Sequence, residues 1–253
     1  MPKQKPAKKE PPRQAPKSQS QSPNWPPLRP LVPASDLYLD PLLPDQIYIL
    51  RNFLPASLCK TYVSFLASLP LTTTPGKPKK GDAVRVNDRF QIEDAAFAER
   101  LWSETALRGL VLEPPEEEDE QGQQRSTKEI WGGDPLGLNG NIRVYRYSPG
   151  QFFAQHYDDS NTLTFTSPSS PTSPKPARTT WTLLIYLSTC TGGETVFYPE
   201  ATRTDRNPEP VSVAPEMGMA LLHRHGDACM LHEGKEVTGG EKWVLRSDLV
   251  VAR

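Results

Sequence analysis

The chain has 253 residues, ample for one buried core, yet only 36% are hydrophobic while 28 are proline and 16 glycine, so a sizeable fraction is loop or tail. Acidic and basic side chains nearly cancel to a formal charge of -1, which argues neither for nor against nucleic acid. Cys59, Cys190 and Cys229 are dispersed without CxxC spacing, the first thirty residues lack an apolar signal core, and no apolar run reaches membrane-spanning length. A disulfide framework, a structural zinc site, secretion and a membrane partner are thereby excluded as expectations, and a cytoplasmic or nuclear location is expected.

Residues 1–35 are rich in Pro, Lys, Gln and Ser and nearly free of aliphatic side chains. They bury too little apolar surface to offset the entropy of ordering, so the sequence predicts a disordered basic tail. Lys3, Lys5, Lys8 and Lys9 offer a weak nuclear-targeting or nucleic-acid patch, but a merely solvated tail is the leading reading, and no nucleic-acid contact is expected except through it. Residues 36–140 read as helices and strands that support a core. A strand is expected at 46–50, and Asn52-Phe-Leu-Pro55 opens a helix, since proline suits a first turn. Leu58, Tyr62, Phe65, Leu66 and Leu69 continue that helix at the right spacing until Pro70. Residues 84–92 alternate as a strand, and 95–107 carry Phe97, Leu101 and Trp102 on one helical side. From 113 to 140, around the acidic run at 116–120, no periodicity appears, and a flexible surface insertion is predicted.

Residues 141–253 read as strands: 142–147, 151–158, 181–188, 195–198, 218–223, 228–231 and 242–251, with Ser148-Pro-Gly150, Gly192-Gly193, Gly226-Asp227 and Gly239-Gly240 as turns. Between them, 160–178 is a low-complexity insertion. So many short strands predict a mainly β, α+β fold. Its core at 141–253 is expected to be a double-stranded β-helix, or jelly roll, with the N-terminal helices packed outside one sheet.

His156 and Asp158 are two apart, so on a strand an imidazole and a carboxylate project to one side. If the chain folds back to bring His232 beside them, two histidines and a carboxylate form a facial triad with open coordination positions, the pattern of non-haem Fe(II) oxygenases. Asp159 would face away from His156. His223 and His225 flank Arg224 before a Gly-Asp turn and read as loop residues or as neighbours of the ligands. Phe152, Phe153 and Trp181 read as core, and Asn87, Arg89 and Arg178 as candidates for a substrate rim.

A family pattern then emerges. Tyr147-Ser-Pro-Gly-Gln151 precedes His156-Tyr-Asp158; Thr182-Leu-Leu-Ile-Tyr-Leu-Ser188 leads into Gly192-Gly-Glu-Thr-Val-Phe197; Gly226-Asp-Ala228, His232 and Lys242-Trp243 follow. In order and interval these resemble the 2-oxoglutarate- and Fe(II)-dependent dioxygenases, in particular the prolyl 4-hydroxylase-like branch. The resemblance implies that His156, Asp158 and His232 bind Fe(II) and that Lys242 pairs with the distal carboxylate of 2-oxoglutarate, with Tyr147 and Thr195 as hydroxyl contacts. Lys242, Val244 and Arg246 share a strand face, so Arg246 stands as the alternative anchor. Lys242 is preferred because its interval from His232 fits the branch. The implied cofactors are Fe(II), 2-oxoglutarate, O2 and ascorbate. The implied activity is hydroxylation of a protein or small-molecule substrate with decarboxylation of 2-oxoglutarate to succinate and CO2. Two other readings stay open: a non-enzymatic metal-binding jelly-roll scaffold, and an oxidative demethylase of nucleic acid motivated by the basic tail.

Overall fold

The computed structural model describes residues 22–74, 81, 83–114, 122–168, 171–203 and 205–253; the first 21 residues of the predicted tail and the acidic run lie outside them. The chain enters through β1 (Asp40–Leu43) and β2 (Ile47–Leu50), an antiparallel pair. After Pro55, α1 (Ala56–Leu66) buries Leu58, Cys59, Tyr62 and Leu66. The short strands β3 (Thr72–Thr73) and β4 (Arg85–Val86) precede β5 (Asp88–Glu93). α2 (Ala95–Glu104) is capped by Asp94, whose Oδ1 accepts from the Phe97 amide at 2.9 Å. α3 (Leu107–Leu112), α4 (Thr127–Trp131) and β6 (Pro135–Leu138) complete the N-terminal part.

The core continues through β7 (Asn141–Tyr147), β8 (Phe152–His156), β9 (Thr162–Phe165), β10 (Lys175–Tyr186), β11 (Thr191–Gly192), β12 (Thr195–Tyr198), β13 (Val211–Val213), β14 (Ala220–Arg224), β15 (Leu231–Gly234), β16 (Val237–Gly239) and β17 (Lys242–Ala252). Ten strands form the large sheet, in the path β1-β2-β14-β10-β17-β7-β5-β3, with β6 beside β17 and β9 beside β10. The small sheet runs β13-β12-β15-β8-β4, and β11 pairs with β16.

The strand period of two distributes side chains between two cores. On β10 and β17, Leu183, Ile185, Trp243 and Leu245 face the helices, packing with Leu58, Phe97 and Leu101. Their neighbours Tyr186 and Val244 face the small sheet, packing with Phe197 and Val213. Because both faces of β17 are covered, ten of its eleven residues are buried. This is the predicted jelly roll with helices outside one sheet, and the gap between the sheets is where the site forms.

Three expectations fail for stated reasons. Residues 22–35 are not part of a disordered tail: Trp25 is 8% and Leu28 1% exposed. The Trp25 ring stacks on Phe97 at 4.0 Å, its Nε1 donates to Asp94 Oδ2 at 2.8 Å, and the Pro26 carbonyl accepts from Tyr62 at 2.9 Å. The stretch 113–140 is not a bare insertion, since Ser126 and Glu129 form a capping box that starts α4. There Trp131 is fully buried, with Nε1 donating to the Val111 carbonyl at 2.7 Å. Within 160–178, β9 pairs with the first residues of β10, extending the large sheet.

Candidate active site

β8 and β15 are antiparallel neighbours in which His156 stands directly opposite His232, so both imidazoles leave the small sheet on one face, ring centroids 4.2 Å apart. Asp158, two residues past His156, returns to the same side. His156 Nε2 lies 3.8 Å from Asp158 Oδ1, and His232 Nε2 lies 3.8 Å from Oδ2. One ligand atom from each of the three falls within 4.8 Å of the others. Nδ1 of His156 donates to the Ala154 carbonyl (2.8 Å) and Nδ1 of His232 to the Met230 carbonyl (2.9 Å). Each such bond fixes the tautomer that turns a bare Nε2 lone pair toward the cluster. Burial pushes both imidazoles down, His156 to about 4, so they are neutral at pH 7.

The Asp158 carboxylate is clamped from the large sheet. Arg246 meets it with both terminal nitrogens, at 2.8 and 3.2 Å, and Thr182 Oγ1 donates to Oδ2 at 3.0 Å. Burial pushes its carboxyl up, but Arg246 and the surrounding imidazoles outweigh that and hold it well below the usual carboxylate range. A carboxylate has about four lone-pair sites, so this pairing leaves acceptor capacity for a cation. Two imidazole nitrogens and one carboxylate oxygen, buried and converging, suit ferrous iron and leave further positions open. The donor set fits the metal.

Lys242 opens β17 opposite Tyr147 of β7. Its ammonium donates to the Gly193 carbonyl at 2.6 Å and to Thr195 Oγ1 at 3.5 Å, and lies 5.7 and 5.4 Å from the ring centroids of Tyr147 and Tyr186. Tyr186 Oη and Thr195 Oγ1 are 2.7 Å apart. Burial pushes both phenols up, so they remain protonated donors. The cavity lined by Lys242, Tyr147, Thr195 and the His-Asp-His cluster has Tyr145, Phe153, Leu184 and Val244 as its further walls.

Every residue expected to hold the metal or the cosubstrate is therefore brought to one cavity, although Arg246, weighed as an alternative anchor, is engaged with Asp158. Of the two readings of His223, the structure shows the neighbour of the ligands: it lies on β14, fully buried, with Nε2 3.8 Å from Asp158 Oδ2 and Nδ1 at 3.1 Å from the Arg224 carbonyl. His225 lies between Thr182 (3.0 Å) and Thr179 (2.9 Å), bracing the threonine that holds Asp158. Phe153, read as core, lines the cavity and stacks on His156 at 3.5 Å. Trp181 is core, at 5.0 Å from Trp131, and Asp159 is exposed. Asn87 is buried where the chain crosses from β4 to β5, its Oδ1 accepting from Thr74 at 3.0 Å. Arg89 stands over Tyr145, whereas Arg178 is exposed and donates to the Gly132 carbonyl at 2.8 Å. Tyr145 and Leu184 escaped the sequence reading, although strand alternation puts them on the same faces as Tyr147 and Thr182.

Residues 142–247 match the sequence model of the 2OG-Fe(II) oxygenase superfamily. A prolyl-4-hydroxylase from Pseudomonas putida shares the fold at 16% identity, covering 82% of this chain and 94% of that one, with a TM-score of 0.52. A Trichoplax adhaerens prolyl hydroxylase, solved with a hypoxia inducible factor oxygen degradation domain peptide fragment, gives 16% identity, 81% and 83% coverage and a TM-score of 0.52. A truncated viral collagen prolyl hydroxylase from Paramecium Bursaria Chlorella virus-1 gives 17%, 93%, 100% and 0.50. No curated protein matches the sequence. Residues 142–247 are thus similar to the 2OG-Fe(II) oxygenase superfamily, and the fold is shared with prolyl hydroxylases. The protein is an oxygenase that depends on Fe(II), 2-oxoglutarate and O2.

Proposed function

We propose that His156, Asp158 and His232 hold the Fe(II), that Lys242 with Thr195 and Tyr147 takes the distal carboxylate of 2-oxoglutarate, and that the substrate is a protein side chain, a prolyl ring by analogy with the structural neighbours. One observation carries this reading. The cavity that contains the His-Asp-His cluster also holds a buried ammonium with no carboxylate within ion-pair distance among the described residues. A dianionic cosubstrate reaching from metal to lysine supplies that missing charge.

Bound Fe(II) would supply the activation of O2 that no side chain can. The residues' own work is positional and electrostatic. The carbonyls of Ala154 and Met230 aim the two Nε2 lone pairs, and Arg246 with Thr182 fixes the plane of the Asp158 carboxylate. Lys242 contributes charge-assisted hydrogen bonds worth roughly 1.5–3 kcal/mol each. Phe153, Leu184 and Val244 keep the cavity apolar around these groups, which strengthens them.

Ascorbate is included as the reductant that keeps the metal ferrous. A cytoplasmic or nuclear location accords with Cys59, Cys190 and Cys229 all being free thiols. With Fe(II), ascorbate and 2-oxoglutarate, the purified protein should form succinate slowly even without substrate, and His156→Ala should abolish it. Equal succinate from the two proteins would overturn the reading in favour of a metal-binding scaffold.

A further inference from the structure

Among the described arginines that are not exposed, six are held by carboxylates: Arg100 by Glu104, Arg125 and Arg224 by Asp45, Arg143 by Asp248, Arg146 by Asp88 and Arg246 by Asp158. Arg85 and Arg89 are the exceptions; among the described residues neither has a carboxylate within ion-pair distance. Both lie against one ring. Arg85 Cζ is 5.8 Å and Arg89 Cζ 5.9 Å from the centroid of Tyr145, and Arg85 is 4.9 Å from that of Phe153. Tyr145 and Phe153 are walls of the oxygenase cavity. Arg85 comes from β4 at the edge of the small sheet and Arg89 from β5 in the large one, so each sheet sets one guanidinium beside the same aromatic wall.

Two half-buried cations held at one ring repel each other and are partly stripped of water. Burial, with the nearby charges of Arg85 and Arg143 adding to it, pushes the Arg89 guanidinium down. Among the described residues, the hydrogen-bonding side chain that Arg89 meets is the neutral Gln91 Oε1, and the Arg85 guanidinium lies against the rings of Tyr145 and Phe153. The aromatic faces offset part of this cost, and an anion would offset the rest. That anion is not the cosubstrate's distal carboxylate, because Lys242 serves it from beside Tyr147, whose ring centroid is 6.4 Å from that of Tyr145. Besides Arg246, which Asp158 holds, two cationic stations thus stand at the cavity: Lys242, which lines it beside Tyr147, and Arg85 with Arg89, set against its walls Tyr145 and Phe153.

We propose that Arg85 and Arg89 recognise an acidic segment of the substrate protein, gripping an Asp or Glu carboxylate that flanks the residue to be oxidised. This rests on the oxygenase reading of the cavity. The planar guanidinium fork suits a carboxylate bidentately, the arrangement by which arginine clusters read acidic motifs.

The test uses the full chain loaded with Mn(II) and 2-oxoglutarate without O2. Two libraries of fluorescein-labelled, proline-containing peptides, identical except that Asp and Glu in one become Asn and Gln in the other, are titrated by fluorescence anisotropy. Acidic members should bind about tenfold tighter, the factor one charge-assisted hydrogen bond supplies, and the advantage should shrink with salt. In the double variant Arg85→Gln/Arg89→Gln the libraries should agree within about twofold, while Arg85→Lys/Arg89→Lys keeps a preference, with melting temperatures confirming that both variants fold. Equal affinities in the wild type, a preference that survives the glutamine variant, or N-acetylglutamate competing as well as whole peptides would overturn the proposal. Calorimetric binding of 2-oxoglutarate to the same Mn(II)-loaded wild type separates the failures. Retained cosubstrate binding without charge discrimination sinks the arginine site alone, and no cosubstrate binding sinks the oxygenase reading beneath it.

Discussion

Lys242 is 5% exposed, and burial pushes its ammonium down to about 8. Because the folded value lies below the unfolded one, the native state binds fewer protons between pH 8 and about 10.4. The ligand-free protein therefore gains stability as pH rises through that window. Binding of 2-oxoglutarate has the opposite demand, since only the charged amine pairs with a carboxylate. Its affinity should be level below pH 8 and fall about tenfold per pH unit just above. Calorimetric titration of the Mn(II)-loaded protein reads this directly, and a curve level to pH 10 would remove Lys242 from the site. Arg246 makes a contrasting case. Its two terminal nitrogens are committed to Asp158, so Arg246→Gln should weaken metal binding about 10- to 100-fold, the usual cost of losing a ligand's supporting contact. Lys242→Met should instead weaken 2-oxoglutarate about 10- to 150-fold. Metal titration and cosubstrate titration in reversed order would exchange the two roles. In the sequence these residues shared a face and only their interval from His232 separated them; the Arg246–Asp158 pair, 88 residues apart in the chain, had no local signal.

At the scale of elements, short segments gave up what averages concealed. Strands with turn signals on both sides were readable from alternation, and the helix of Leu58, Tyr62 and Leu66 from its spacing. Residues 22–35 were lost in the composition of the tail because the burial there is concentrated in Trp25 and Leu28. A single tryptophan stacked on Phe97 and bonded to the Asp94 cap ties this strap to α2. Trp25→Ala should cost about 3–5 kcal/mol, measured by urea denaturation, and a loss under about 0.5 kcal/mol would mean the strap is only laid on the surface. The α4 turn is a different kind of miss. Ser126 and Glu129 carried the capping-box spacing openly, but the acidic, glycine-containing run before them set the reading for the whole stretch. β17 shows the converse limit: covered on both faces, it buries Lys242, Arg246, Ser247 and Asp248 beside its apolar side chains and has no alternation, so it is recognised as a central strand only once the partner strands are known.

Across the whole molecule, the two sheets contribute different halves of the site. His156 and His232 come from the small sheet, Arg246, Thr182 and Lys242 from the large one, and Asp158 is held between them. That division was not legible from strand patterns, because a strand's period says which residues share a face and not which face meets which sheet. It has a thermodynamic consequence. A metal and a cosubstrate that contact both sheets bind the closed sandwich and not the unfolded chain, so their binding free energy adds to the stability of the fold. At 100 times the dissociation constant that addition is about 2.7 kcal/mol, worth roughly 5–11 °C in melting temperature for a domain of this size. Melting curves with Mn(II) alone, 2-oxoglutarate alone and both should show the full rise only for the pair, because in the proposed site 2-oxoglutarate would reach from the cluster to Lys242. His156→Ala should abolish the rise with Mn(II), and Lys242→Met should keep the Mn(II) part while losing the increment from 2-oxoglutarate. A rise from 2-oxoglutarate that persists unchanged in Lys242→Met, or that needs no metal, would place the cosubstrate outside the gap between the sheets.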